Sequence, residues 1–166
     1  VSIGLPRLAG RALMFVGLLV ILWTWVHIPQ RYINRSQLEN GLFGPAGDFL
    51  EVHASKGSTA MLEPIGLIGW EARNLRIIDE IGLVSPEVAT LRRLGPGWYA
   101  DILSRELPDW LVVRRSLLRS GTAFAGRGSP FRSDEERQRA FAPYELVAVG
   151  DTASGDQSIF ILHRDR

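Results

Sequence analysis

TAMLEPIGLIGWEARNLRIIDEIGLVSPEV, residues 59–88, is the stretch on which the fold turns. Apolar runs cover 60–62 and 65–70, and a third, 75–78, follows a polar break. Gly66, Gly69 and Gly82 punctuate them, and short apolar runs bounded by turn residues suit buried strands. All three runs are therefore expected as strands. Acids interrupt them at Glu63, Asp79 and Glu80. After Gly82, Ser85-Pro86-Glu87 has the composition of a helix start: a hydroxyl cap, proline in the first turn, an acid near the positive end. The stretch holds no metal, phosphate or nucleophile motif.

Working outward, residues 44–57 are expected as a helix. Gly44-Pro45 opens it, Ala46, Phe49, Leu50 and His53 follow at helical spacing, and Gly57 is a natural stop. Helices are expected over 86–94 and 98–107, with Gly95-Pro96-Gly97 between them and Pro108 as a stop. Residues 109–114 form a strand, rich in branched apolar side chains. Residues 120–133, rich in glycine and serine, form a loop. A polar helix follows over 134–141, capped by Ser133, and strands over 144–149 and 158–162 close a hairpin with a long turn at 150–156. The order predicts an α/β domain: a small mixed sheet covered by helices, parallel where helices intervene and antiparallel at the C-terminal end.

Ahead of this lies ALMFVGLLVILWTWVHI, residues 12–28. No charge falls between Arg11 and Arg31, an interval of roughly 19 residues at about 1.5 Å each, close to the ~30 Å of bilayer hydrocarbon. Trp23, Trp25 and Tyr32 cluster towards one end, as at a membrane interface. A cleaved signal peptide needs small residues after the apolar run, and Trp25-Val-His-Ile-Pro-Gln has none. A buried core helix fits poorly with bulk all round and no polar face. Arg7 and Arg11 on one side balance Arg31 and Arg35 on the other, so the basic-residue rule sets no orientation. The expected layout is a transmembrane anchor with flanks over 1–31, a helical stalk or linker over 32–58, and a soluble α/β domain over 59–166. The chain opens on Val1, with Pro6 and two arginines ahead of the span, which resembles a loop between membrane helices and suggests a piece of a longer protein.

Composition narrows the chemistry. At 46% hydrophobic residues, the chain can bury a core even with the N-terminal stretch set aside. The 19 basic and 18 acidic residues nearly cancel, which argues against non-specific nucleic-acid binding, since that needs a net basic footprint, and no nucleic acid is expected as a partner. Without cysteine there is no disulfide framework and no cysteine-ligated zinc. His27, His53 and His163 are too scattered for metal-ligand spacing, and no cofactor is implied. Gly121-Thr-Ala-Phe-Ala-Gly126-Arg127-Gly128 is half a phosphate loop, but Arg127 and Gly128 stand where lysine and a hydroxyl are required. Asn34-Arg35-Ser36 matches the glycosylation sequon, a pattern common by chance.

Two constellations remain. Glu63, Asp79, Glu80 and Glu87 are candidates for paired-carboxylate chemistry, or else caps and turn formers. Arg114, Arg115 and Arg127, with Arg119 and Arg132, are candidates for a lipid headgroup or lipid-linked phosphate, or else a solvated, salt-bridged face.

The central motif carries a resemblance. The pattern of Glu63, Ile65, Gly66, Ile68, Gly69 and Trp70, then Ile77, Ile78, Asp79, Gly82, Leu83, Val84, Ser85, Pro86, Glu87 and Val88, resembles the C-terminal region of bacterial polytopic glycosyltransferases. These are of the GT-C type, in the protein-mannosyltransferase-like group. The strand at 108–113 and the closing strands at 144–147 and 159–162 resemble the same region. The resemblance implies that residues 12–28 are a last membrane helix and the rest an extracytoplasmic tail at the bacterial cytoplasmic membrane. It implies membrane lipid as a partner, and a polyprenyl-phosphate sugar and acceptor through membrane parts outside this chain. The family's catalytic acids lie in an early loop with no counterpart here, so no catalytic residue carries over. Alternatives are a self-contained membrane-anchored binding module and a small anchored hydrolase using Glu63 or Asp79.

Overall fold

The structure, a computed structural model, describes residues 7–63, 65–119, 128–151 and 158–164, without the side chains of Arg7, Leu8, Asn34, Arg35, Leu38 and Glu39. Arg127, the glycine-rich segment before Gly128, the sequon side chains Asn34 and Arg35, and most of the 150–156 turn fall outside these residues. The chain divides into two compact units, Val1–Gln37 and Leu38–Arg166.

The first unit is the bulk of one helix, α1, Arg7–Leu38. Its stretch Ala9–Ile33 has mean hydropathy 2.0, is long and apolar enough to cross a membrane, and is not buried. Leucine, valine, phenylalanine and tryptophan face outward on every side. Two polar side chains within it turn onto its own backbone: Thr24 Oγ1 donates to Ile21 O at 2.7 Å, and His27 Nδ1 lies 2.9 Å from Trp23 O. Local satisfaction of this kind suits a helix in hydrocarbon, where no water is present to compete.

The second unit opens with a short π-helical segment, Glu39–Phe43, and α2, Gly44–His53. Then come β1 (Thr59–Leu62), α3 (Ile65–Glu71), β2 (Arg76–Asp79), α4 (Pro86–Leu94), α5 (Trp98–Glu106), β3 (Trp110–Arg114) and α6 (Arg115–Leu118). Helix α7 (Asp134–Phe141) and the pair β4 (Tyr144–Asp151) and β5 (Ser158–Arg164) complete it. The sheet has five strands in the order β2-β1-β3-β5-β4. β1 runs parallel to both β2 and β3, while β5 is antiparallel to β3 and β4. The mixed sheet is as expected, including the antiparallel C-terminal pair.

Both faces of the sheet are covered. Ala60, Leu62, Trp110, Val112, Ile159 and Ile161 pack with Leu42, Leu50 and Ile68 of the π segment, α2 and α3. On the other face Met61, Leu111, Val113 and Leu162 pack with Val88, Tyr99, Ile102 and Phe141 of α4, α5 and α7. Adjacent residues of β1 and β3 thus enter opposite cores. This is why these strands are continuous apolar runs rather than alternations.

Three expectations need correction. Residues 65–70 form α3, not a strand. β1 and β2 are parallel, so the chain between them has to cross over a sheet face, and a helix does that. Ile68 and Ala72, four apart, are the buried positions, a helical spacing on one side only. Residues 38–58, assigned to a stalk or linker, belong to the compact unit and bury Leu42, Ala46 and Leu50. Gly47 lets α2 approach α3: a Cβ there would meet Glu71 Cβ at 2.7 Å. Finally, Ser85 precedes α4 as a cap would, but its hydroxyl makes no capping bond. It accepts the Asp79 N–H instead, at 2.9 Å. Ser133 does cap α7, accepting the Glu136 N–H at 3.2 Å.

Candidate functional site at the carboxyl ends of the parallel strands

Parallel strands end together. β1, β2 and β3 therefore deliver Glu63, Asp79, Glu80 and Arg114 to one edge of the sheet, although Glu63 and Arg114 are 51 residues apart. β1 lies between β2 and β3, with α3 crossing one face and α4 and α5 covering the other. Open α/β sheets bind ligands at such a switch point, outside the carboxyl ends of the strands.

Glu63 and Arg114 close the gap between β1 and β3. Arg114 Nε donates to Glu63 Oε2 at 3.0 Å and Nη2 donates to Oε1 at 3.1 Å. This bidentate fork matches guanidinium to carboxylate in one plane. Both side chains are partly exposed, so the pair adds geometry more than stability.

Asp79 is 1% exposed, and both oxygens of its carboxylate are engaged by backbone N–H groups. Oδ1 accepts the Ile81 N–H at 2.9 Å, and Oδ2 accepts the N–H of Leu83 and of Val84, the latter at 3.0 Å. Arg92 holds the same loop from α4: its Nη1 donates to Glu80 O at 3.1 Å and Ile81 O at 3.2 Å. The Arg92 guanidinium also lies over the Trp98 ring, 4.6 Å from its centroid. Gly82 has φ +84°, a left-handed conformation, and a Cβ there would meet Ala89 N at 2.7 Å, so glycine is required at this position.

Glu80 is 7% exposed. Burial, reinforced by the Glu63 charge, pushes its carboxyl up to about 8, against opposing pulls from Arg114 and Arg92. It is therefore a neutral acid at pH 7. Tyr99, wholly buried, brings its hydroxyl into the same field, and that hydroxyl has no hydrogen-bond partner among the described residues. Burial and the neighbouring Glu80 raise its pKa well above the ordinary tyrosine value.

Of the sequence candidates, Glu63, Asp79, Glu80 and Arg114 come together here. Glu87 is exposed in the first turn of α4, where an acid favours the helix N-terminus. Arg115 is exposed at the start of α6 on the same edge, with its guanidinium 5.9 Å from the Phe160 ring centroid. Arg132 lies elsewhere, forked onto Asp101 and Glu136. Arg92 and Tyr99 were not singled out from sequence. Their signal is faint: Arg92 follows the buried Val88 by four residues, and Tyr99 shares a helix face with Ile102 and Leu103.

A separate cleft of about 370 Å³ opens at the opposite, amino-end edge, between α5, α7 and the β4–β5 pair. Asp101, Glu136, Arg139, Tyr144 and Arg164 line it. Tyr144 donates its hydroxyl to Pro108 O at 3.0 Å, and its pKa is pushed up to about 12, chiefly by burial. Among the described residues no group of three or more histidine, aspartate or glutamate side chains could hold a metal ion. Comparison with curated proteins and with solved structures yields no match. Residues 30–160 match the family described as Domain of unknown function (DUF8728), and with most of its length covered the chain belongs to that family.

Proposed function

We propose that the chain is a membrane-anchored, non-catalytic module: the last span and extracytoplasmic tail of a bacterial glycosyltransferase that draws sugars from a polyprenyl-phosphate carrier. The observation that carries the non-catalytic part is the occupancy of the carboxylates at the strand ends. Asp79 is consumed by backbone N–H groups and Glu63 by Arg114. Glu80 is closed in as a neutral acid. A general base has to reach substrate: Asp79 and Glu80 are buried, and Glu63 is held on both oxygens by the Arg114 guanidinium. These bonds favour a docking role over the anchored-hydrolase alternative. The exposed apolar helix supports the anchor, and the motif from Glu63 to Val88 supports the link to membrane glycosyltransferases.

The second reading, a self-contained anchored binding module, draws on the extent of the family match, which begins at residue 30, near the end of the apolar stretch. The two are separated by purifying the native protein from its host membrane and sequencing it by mass spectrometry. Further hydrophobic spans ahead of Val1 support the transferase tail. A mature protein confined to this sequence rules the transferase out and leaves the anchored module.

A further inference from the structure

The loop between β2 and α4 presents large apolar side chains to solvent: Ile81 is 37% exposed, Leu83 81% and Val84 66%. Exposed apolar loops are ordinarily mobile, but this one is fixed. The Asp79 carboxylate gathers the N–H groups of all three residues, and Arg92 holds the carbonyls of Glu80 and Ile81. A scaffold that uses a buried acid and an arginine to hold leucine and valine out in water is shaped for an apolar environment.

The location identifies that environment. Leu42, in the π segment that leads into α2, lies against Gly150, where a Cβ would come 2.9 Å from Leu42 Cδ1. Gly150 pairs with Ile159, and Ile159 with Arg114. The chain therefore enters the globular unit at the carboxyl-end edge of the parallel strands, the same edge that carries the 81–84 loop. Between Ile33, where the apolar stretch ends, and Leu42, the backbone reaches no more than roughly 30 Å even when fully extended. Arg114 is balanced by Glu63, and the exposed Arg115 by the exposed Glu87, so these four add no net charge and the apolar side chains carry the contact.

We propose that Ile81, Leu83 and Val84 form a knuckle that inserts into the lipid interface, docking the carboxyl-end edge of the sheet on the membrane that holds α1. This rests on α1 being membrane-embedded, as in the function proposed above. The partner is the acyl–headgroup boundary of the bilayer, where apolar side chains are buried while the exposed Arg115 meets headgroup phosphate.

The chain has no cysteine, so single-cysteine probes are specific. Leu83→Cys, Leu94→Cys and Leu18→Cys variants of the full chain are each labelled with an environment-sensitive fluorophore. They are then reconstituted into phosphatidylcholine–phosphatidylglycerol vesicles, with and without spin-labelled lipid. Leu94, 77% exposed at the far end of α4, is an equally accessible leucine away from the knuckle, and Leu18 reports on the span. The expected result is that spin-labelled lipid removes most of the emission at 18 and 83 and little at 94. Loss at 18 but not at 83 overturns the knuckle and leaves the anchor standing. If 83 is shielded from aqueous iodide in that case, a protein partner takes its place. Equal loss at 83 and 94 also overturns it, because contact is then unspecific. No loss at 18 rejects the anchor, and the knuckle with it. Val84→Cys repeats the measurement should the Leu83 variant fail to fold.

Discussion

Replacing Glu80 with glutamine should stabilise the globular unit, and only above a certain pH. The folded carboxyl is raised from 4.5 to about 8, chiefly by burial. Below pH 4.5 both folded and unfolded forms are protonated and the side chain costs nothing electrostatically. Between 4.5 and 8 the unfolded chain ionises while the folded one stays neutral, so stability falls as pH rises, and it levels off once the folded carboxyl also ionises. A tenfold change in proton affinity is worth about 1.4 kcal/mol, so the full loss is at most roughly 5 kcal/mol, and about 2–4 kcal/mol after allowing for relaxation and water penetration. Glutamine has nearly the same shape and does not titrate. Glu80→Gln should match the parent at pH 4 and exceed it by about 2–4 kcal/mol at pH 8, a large share of a typical domain's ~5–15 kcal/mol. The assay is urea unfolding of residues 38–166, followed by near-ultraviolet circular dichroism at pH 4, 6 and 8. Other groups titrate over this range, so the informative quantity is the difference between variant and parent. A constant difference across the three pH values, or a variant less stable at pH 8, would refute the assignment of Glu80 as a buried neutral acid.

Further outcomes follow from the same geometry. Asp79→Ala leaves three loop N–H groups without their acceptor and should cost about 3–5 kcal/mol in the same unfolding assay, with Asp79→Asn about half as much. A loss below ~0.5 kcal/mol would mean that the carboxylate does not organise the loop. Ser133→Ala should cost about 1 kcal/mol through the lost α7 cap, measured as a lower urea midpoint at unchanged slope. A chain cut to Leu38–Arg166 should remain soluble and unfold in one cooperative step, since both cores lie within it. Aggregation or a broad, non-cooperative melt would show that the apolar helix completes the fold.

Much of the fold was legible because local signals agreed with the topology. Valines and isoleucines at 111–113 and 159–162, proline at 86, and serine ahead of Asp134 each marked an element by its own chemistry. The run at 65–70 failed because a short apolar segment with two glycines satisfies strand and helix alike. What decides is the parallel pairing of its flanking strands, which is non-local. The stalk failed for a related reason. Ala46 and Leu50 look like one stripe of an isolated helix until α3 is placed beside it, with Gly47 in the contact. In the candidate site, the acids could be named from sequence but their partners could not. The Glu63–Arg114 fork depends on β3 crossing to the far side of β1, and the occupant of the Asp79 carboxylate is the backbone of its own loop, which no side-chain pattern encodes. Ser85 carries a cap's sequence, but it serves the strand end rather than the helix.

The carboxyl-end edge of a parallel sheet is ordinarily where strands diverge and leave a crevice. Here the groups that would line such a crevice bind one another. Arg114 reaches across from β3 to the end of β1, and Arg92 reaches back from α4 to the end of β2. Glu80 is held neutral beneath them, so the edge carries less negative charge than its sequence of acids implies. What remains exposed at the tip of the β2–α4 loop is apolar: Leu83 and Val84, flanked by the required Gly82. These bonds hold the loop rigid, and in the docking proposed above a rigid apolar tip loses little conformational entropy when it is buried. The bonds that engage Asp79 and the backbone beside it thus also fix a loop that, in the proposed docking, meets the bilayer without rearranging.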